Sequence, residues 1–564
     1  MAKKPTIVEL GMNELEALLR RTETHDLREE DYETTKTVLL SYVELVGLLK
    51  DKNVSIGRLR KLLFGSKTEK TADVLAGIAD GAASSPADGE QPSDSGDASP
   101  LTPSESPPPK KGHGRNGAED YTGAEQIDVS HESLQPGDDC PSCLKGTLYD
   151  TQRPRVLVRL TGQAPVGAKV IRLQQLRCNL CGKLYTASAP EGVGSAKYDA
   201  TVGSMIALLK YGSGLPFNRQ AGLQGLLGIP LPASTQWDIV LAQAQHFRPV
   251  WDELLNQAAN GDVQYNDDTT VRILERMGKR AEKKASKDAL CEDSEAEIDK
   301  SRTGLFTSGV VSTHSGWRIA LFFSGVRHAG ENLKKVLARR AEELGPPIQM
   351  CDALSRNVPG PLKTILANCL AHARRRFVDV VENFPEPCRH VLEALKVVYH
   401  NDATARKRKL SAETRLAFHQ AHSGPTMERL KVWLTEQFEQ RLVEPNSSLG
   451  GAIAYMLKHW EKLTLFLRVP GAPLDNNLYE QALKKAILHR KNALFYKTDK
   501  GARVGDLYMS LIYTCQLNKV NPFDYLTELE RHRQAVAAAP GAWLPWSYRE
   551  TLAAASAPPA TAAS

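Results

Sequence analysis

The sequence predicts a multidomain protein whose largest part is α/β, and three observations predict it. At 564 residues the chain exceeds one ordinary core. Short apolar runs at 271–274, 309–312, 319–323 and 348–351 read as strands, with a helix at 333–344 before the last. Strand, strand, strand, helix, strand, followed by helical periodicity from about 377 to 470, is the order of a mixed sheet with helices added to it. The apolar share of 41% and charged share of 24% are those of a globular protein. No run approaches the ~18–20 apolar residues of a membrane span. Residues 1–11 carry no long apolar run, so the expected compartment is the cytosol.

The N-terminal region, 1–65, is predicted to be helical. Val38, Tyr42, Leu45, Leu49, Lys52, Ile56, Leu59 and Leu63 alternate in steps of four and three. That is a coiled-coil seam with one lysine in it, and it predicts self-association into a homo-oligomer. A helix packed on its own domain is the competing reading. Residues 66–126 turn Ser-, Pro-, Asp- and Gly-rich, too poor in apolar groups to bury a core, and read as a disordered linker. The tail beyond 553 is Ala-, Pro- and Ser-rich and reads the same way. Just before it, Trp543, Leu544, Pro545 and Trp546 are expected to dock on a domain surface. Residues 531–564 therefore form a C-terminal segment and tail.

Residues 127–192 hold two Cys-x-x-Cys knuckles, Cys140 with Cys143 and Cys178 with Cys181, with strand-like runs at 156–158 and 170–171 between them. Four thiolates complete a closed tetrahedron, so a structural Zn²⁺ is expected. The remaining five of nine cysteines are scattered, which fits a reducing compartment better than a disulfide scaffold. Residues 193–258 read as helical. A helix over 216–227, a break at Gly228, Ile229 and Pro230, and a second helix from 233 to 241 capped near Ser234 have the form of a helix-turn-helix. Arg219, Thr235 and Gln236 are its candidate DNA contacts. A plain helical hairpin fits the same segment.

Three acids carry the chemistry. Asp267 or its neighbour Asp268 leads into the first strand, Asp352 follows 348–351, and Glu480 lies on a late helix headed by Asp475, Asn476 and Asn477. Asn476 and Glu480 are four apart and share a helical face. Carboxylates from two strands and one helix could converge on two Mg²⁺ or Mn²⁺ ions, which take oxygen ligands and promote in-line displacement at phosphorus. After Glu480, residues 484–503 contain seven basic side chains against one acid, in a chain whose whole excess is +6. Lys484, Lys485, Arg490 and Lys491 lead this tract and are candidates to hold a nucleic-acid backbone. Arg374–Arg376 and 406–409 are further basic clusters. Each could equally be a solvated face.

The runs Asp267-Asp268-Thr269-Thr270-Val271-Arg272, Cys369-Leu370-Ala371-His372-Ala373-Arg374-Arg375 and Asp475-Asn476-Asn477-Leu478-Tyr479-Glu480, followed by Arg490-Lys491-Asn492, resemble the transposases of the insertion sequence 66 family. The seam's end at 59–65, the knuckles and Leu544-Pro545-Trp546 follow in the same order. The resemblance implies a ribonuclease-H-like DDE domain over 259–530 with a helical insertion at about 377–470. It implies Asp267, Asp352 and Glu480 as the catalytic triad, and cleavage and strand transfer at the ends of a bacterial element. The implied partners are double-stranded DNA, as terminal inverted repeats and target, and accessory proteins of the same element, beside the bacterial nucleoid. The family has Glu at Asp268 and Trp at Leu370, which leaves Asp267 against Asp268 open. The charged stretch 278–303 has no assigned job, and Cys369 with His372 reads as a structural pair in preference to a second metal site. A catalytically inert regulator of the element and a general nuclease are the competing functions.

Overall fold

The computed structural model describes residues 12–24, 27–38, 74, parts of 133–191, and 196–556 apart from 279–303 and 361. The seam beyond Val38, the linker but for Val74, Cys140, Cys178, Cys181, residues 156–158, the stretch 279–303 and the tail from 557 lie outside the described residues. The chain divides into two compact units. One comprises Met1–Pro86, Tyr198–Gln220 and Pro232–Ser564, and the other Ala87–Lys197 with Ala221–Leu231.

In the second unit β1 (Gln175–Arg177) pairs antiparallel with β2 (Leu184–Thr186), and Asp139 bridges Thr147. The second cysteine pair falls in the connection between β1 and β2. Val170 and Ile171, expected in a strand, have no ladder partner, and the ladder begins at Gln175. Cys143 is exposed.

The first unit contains α1 (Met12–Glu23) and α2 (Ala200–Ala207). The expected pair of helices is present in the chain: α3 (Phe217–Leu226) starts in this unit and its residues from Ala221 on belong to the other, and α4 (Ala233–Ala259) lies in the first. α4 runs 27 residues, well past 241, because Val240, Phe247, Val250, Trp251, Leu254, Leu255 and Ala258 sustain one buried stripe. Its N-cap is Pro232, and no side chain caps it, so Ser234 lies inside the first turn.

The core is a five-stranded mixed sheet in the order β5-β4-β3-β6-β7. β3 (Val263–Thr270) pairs antiparallel with β4 (Phe306–His314), which pairs antiparallel with β5 (Trp317–Gly325). On the other side β3 runs parallel to β6 (Ile348–Cys351), and β6 to β7 (Ile365–Asn368). A parallel connection needs a crossover, supplied after β5 by α5 (Ala329–Leu337), which starts and ends earlier than the expected 333–344. This mixed sheet with flanking helices agrees with a ribonuclease-H-like core. After β7 come α6 (Leu370–Val378) and the helical insertion, α7 (Pro385–Lys407), α8 (Ala412–His422), α9 (Gly424–Glu439) and α10 (Ser448–Lys458). The chain returns through α11 (Asn477–Ala493), α12 (Asp499–Leu517) and α13 (Pro522–Arg531). Tyr525 donates to the Trp543 carbonyl at 2.7 Å, and Trp546 stacks on Trp317, so the late aromatics dock as expected. Among the described residues no helix is long and apolar enough to cross a membrane.

The first strand is placed differently from the sequence expectation. β3 is 263–270, and 274–276 form a 3₁₀ turn. The cause is that β3 buries amides. Gln264 donates to the Ala258 carbonyl and to Ser312 Oγ, and Asn266 donates to the Asn357 carbonyl. Hydrogen-bonded polar groups can occupy a core without any hydrophobic signature.

α12 closes the exposed edge of β5. Asp506, Ser510, Thr514 and Asn518 stand four apart, so they line one face of the helix and its C-cap. Their oxygens accept from the backbone N–H of Ser324, Phe322, Ala320 and Arg318 at 2.7, 3.0, 3.0 and 3.1 Å. Four helical residues rise about 6 Å and two strand residues about 6.6 Å, so the two rows keep step over this length. An edge that would otherwise invite a foreign strand is thereby paired.

Asp506 is buried, and burial pushes its carboxyl up to about 7 against the two Ser324 hydrogen bonds that favour the anion. A carboxyl raised in the folded state stabilises the fold fully at low pH. That contribution is lost as pH rises from about 4 through about 7. Asp506→Asn keeps an acceptor for Ser324 N–H and removes the charge. The expected result is that the variant gains on the order of 2 kcal/mol over wild type at pH 8 and little at pH 4. Melting temperatures at both pH values check it, and an equal offset at the two would count against this origin.

Candidate active site

Successive side chains of a strand point to opposite faces. Asp267 and Asp268, adjacent on β3, therefore have different surroundings. The Asp268 carboxylate meets the start of α5: His328 Nδ1 lies at 3.0 Å, Ala329 N–H at 3.4 Å and the Arg356 guanidinium at 3.3 Å. A helix N-terminus and two basic side chains engage it, which is a structural role.

Asp267 faces Asp352, at the carboxyl end of the neighbouring parallel strand. Asn357 Nδ2 donates to Asp267 Oδ1 at 3.2 Å and also to Asp352 Oδ1. One amide nitrogen thus reaches both carboxylates. Asn357 is itself fully buried and locked by its carbonyl, which accepts from Asn266 Nδ2 and Gln349 Nε2 at 2.7 Å each. Gln349 is held in turn by Asn266 Oδ1 and by Thr364 Oγ1. Burial first, then the Asp352 charge, pushes the Asp267 carboxyl up to about 7. A divalent cation beside both carboxylates would relieve the burial and the repulsion that raise Asp267.

Glu480 arrives by a chain of backbone links. Cys369 N–H donates to the Cys351 carbonyl at 3.0 Å, Leu370 N–H to the Leu474 carbonyl at 3.0 Å, and Asn476 N–H to Cys369 Sγ at 3.3 Å. The ends of β6 and β7 and the start of α11 are so tied together. Tyr479, fully buried, donates through its hydroxyl to the Asp267 carbonyl at 2.7 Å and accepts from Gly309 N–H at 3.0 Å. Glu480, the next residue, turns its carboxylate toward α6: His372 Nε2 is 3.8 Å away and the Arg375 guanidinium 3.9 Å. Glu480 Oε1 is buried with no hydrogen bond. His372, Arg375 and Asp352 line one cleft of about 310 Å³ with Arg376, Asp379 and Tyr455.

The other sequence expectations divide. Asn476 is the N-cap of α11, fully buried, and neither of its amide atoms has a hydrogen-bond partner, so it does not orient Glu480 by a hydrogen bond. Asp475 accepts from Asn477 N–H at 3.1 Å, one residue ahead of that cap. Lys484 and Lys491 are exposed and Lys485 is half-buried. Arg490 is engaged internally, donating to Thr269 Oγ1 and to the Thr270 carbonyl and hydroxyl at 2.7–2.9 Å. It ties α11 to β3 through bonds at the end of the strand, so its guanidinium is already engaged within the fold. Arg219 is exposed and Thr235 half-buried, but Gln236 is fully buried and donates to the Phe217 carbonyl at 3.3 Å. A side chain in that position supports the helix pair and cannot reach a base edge. Asn357 was not foreseen, since a buried residue in an irregular turn has no motif. Oxygen donors at Asp267, Asp352 and Glu480 fit magnesium or manganese in type.

Residues 196–504 match the family described as Transposase IS66 family. A protein of Sinorhizobium fredii (strain NBRC 101917 / NGR234), uncharacterized protein y4hP, is 29% identical over 370 residues, 61% of this chain. A second from the same strain, uncharacterized protein y4jD, is 29% identical over 337 residues, 58% of this chain. The chain spans 61% of the length of each of these curated relatives. With the family match covering more than half of its residues, the chain belongs to the IS66 family of transposases.

Proposed function

We propose that this chain is a DNA transposase that cleaves and joins strands at the ends of a bacterial insertion sequence, with Asp267, Asp352 and Glu480 as its catalytic acids. The observation that carries the reading is the Asn357 amide shared between the Asp267 and Asp352 carboxylates at the ends of adjacent parallel strands. Magnesium or manganese bound there would activate the attacking water or 3′-hydroxyl and stabilise the leaving oxygen. The protein's own part is positional. The buried amides of Asn266, Gln349 and Asn357 hold two carboxylates together against their repulsion. Tyr479 fixes the helix that delivers the third. Arg375 and Arg376 in the cleft, with exposed Lys484 and Lys491 on α11, supply positive charge for a phosphate backbone. The helix pair with Arg219 and Thr235 and a zinc ribbon at the four knuckle cysteines bind the terminal repeats. The N-terminal seam brings two copies together so that both ends are held, and accessory proteins of the element join the assembly. The work is done on the nucleoid, in the cytosol.

The test is a purified full-length chain incubated with duplexes carrying the inverted repeats that flank its gene. Mg²⁺-dependent nicks at the repeat boundary are expected. Binding without cleavage at any Mg²⁺ or Mn²⁺ concentration would favour the inert regulator, and cleavage indifferent to the repeats a general nuclease.

Asn357→Ala isolates the positioning role. Losing one charge-assisted donor shared by two acids costs about 1.5 kcal/mol. The Mg²⁺ concentration giving half-maximal cleavage is expected to rise roughly tenfold. Repeat binding in a gel shift stays unchanged. An unaltered Mg²⁺ requirement would remove Asn357 from the site.

A further inference from the structure

Beside the two aspartates lies a second donor set of different chemistry. Cys369 Sγ, a ring nitrogen of His372 and a carboxylate oxygen of Glu480 all lie within 4.8 Å of one another. They come from two elements, the N-cap and first turn of α6 and the first turn of α11. We infer that Cys369, His372 and Glu480 form a site for a thiophilic divalent cation such as zinc, and that this site competes with the Asp267–Asp352 pair for Glu480.

Four features support it. Thiolate, imidazole and carboxylate together suit zinc, and hard magnesium does not take sulfur. Donors on one tetrahedral zinc stand roughly 3.5 Å apart, so the three need to close by only about 1 Å. Two of them have buried polar atoms without a hydrogen bond: His372 Nδ1, and Glu480 Oε1, which has only the longer ion pair to His372 Nε2 at 3.8 Å. Buried polar atoms are rarely left so, and a cation accounts for the carboxylate oxygen directly. The sulfur is also prepared as an acceptor. It takes the Asn476 N–H at 3.3 Å, and it sits at a helix N-terminus, where negative charge is favoured.

Two features limit the affinity. Burial pushes the Cys369 thiol up to about 11, so binding must expel its proton: the S–H bond breaks, a metal–sulfur bond forms and H⁺ leaves to solvent. The Arg375 guanidinium, 3.9 Å from Glu480, opposes a cation. Three ligands with an open fourth position, opposed by an arginine, describe a reversible site and not a structural zinc.

The consequence rests on Glu480 being a catalytic acid, as proposed above. An ion drawn to Cys369 and His372 holds Glu480 on the α6 side of the cleft, away from Asp267 and Asp352. Zinc then inhibits, and a chelator restores activity.

The experiment counts metal before it measures cleavage. Full-length wild type, Cys369→Ser and His372→Gln are dialysed to equilibrium against a saturating buffered concentration of free Zn²⁺ and assayed for bound zinc, and the same chains are titrated with Co²⁺ for the near-ultraviolet cobalt–thiolate band. Each variant is expected to hold one zinc fewer than wild type, with part of the cobalt band lost in Cys369→Ser. Equal zinc content in all three chains overturns the site. His372 is half-buried, so His372→Gln keeps the count decisive should Cys369→Ser fail to fold. In the cleavage assay the zinc concentration that halves each chain's own zinc-free rate is expected to rise at least tenfold in His372→Gln. An unshifted concentration overturns the competition for Glu480. If wild type cleaves under no condition, the proposed function fails, and the zinc count still decides the site.

Discussion

Asp267→Asn is expected to lower Mg²⁺-dependent strand cleavage by about a thousandfold or more, while gel-shift affinity for the terminal repeats stays within a factor of two. A thousandfold corresponds to about 4 kcal/mol of transition-state stabilisation, the scale of charge stabilisation by a bound cation. Asparagine preserves the acceptor for Asp268 N–H but not the charge that would bind a cation. Asp352→Asn and Glu480→Gln are expected to behave alike. Asp268→Asn serves as the contrast. Its carboxylate is engaged by His328, Ala329 and Arg356, so that variant loses about 1–3 kcal/mol of stability and keeps its cleavage chemistry. The four variants assayed side by side for melting and cleavage also settle which of the adjacent aspartates acts. Wild-type cleavage by Asp267→Asn would exclude it from the triad.

What the sequence made legible follows from what burial does to each segment. β4, β5 and β6 are Val-, Ile- and Phe-bearing and announce themselves. β3, the strand that carries Asp267, does not, because Gln264 and Asn266 are buried by pairing and not by hydrophobicity. The strand reading therefore slid forward to 271–274. β7 was missed because four residues ending in Asn368 give too short a run to distinguish from a loop. The fourfold spacing of Asp506, Ser510, Thr514 and Asn518 is a readable signal for a helix that pairs with a strand edge. At the site, acid types and order could be read, but the partition of Asp267 from Asp268 needed the faces of β3. Gln236 and Arg490 show the limit from the other side. Their residue types suit DNA, yet the first supports a helix pair and the second ties α11 to β3. Nothing in composition distinguishes a basic or amide side chain free to meet a ligand from one already bonded within the fold.

Gly309→Ala is the second change with a large expected effect, and it acts on Glu480 without touching it. Gly309 is opposite Asp267 in the β3–β4 ladder. A Cβ there would fall 2.6 Å from Tyr479 Cε2 and 2.8 Å from its hydroxyl oxygen. Those distances are far inside van der Waals contact, so something must move. The Tyr479 ring is fully buried, so it cannot swing aside into solvent. The movement must pass to α11, and Glu480 is the next residue on that helix. Overpacking of this kind costs about 1–3 kcal/mol. Displacing a catalytic group by about 1 Å can cost a hundredfold in rate. Gly309→Ala is therefore expected to melt lower and to cleave roughly a hundredfold more slowly. Tyr479→Phe keeps the ring and removes the hydroxyl, which leaves Gly309 N–H and the Asp267 carbonyl without this partner. Its cost is about 1–3 kcal/mol of stability with a smaller loss of rate, since the helix stays in place. The decisive arm is the double variant Gly309→Ala with Tyr479→Leu. Removing the ring relieves the clash that the methyl creates, so the two changes together should cost less than their sum. Strict additivity, or a Gly309→Ala chain with wild-type melting and cleavage, would show that the Tyr479 ring does not set the position of Glu480.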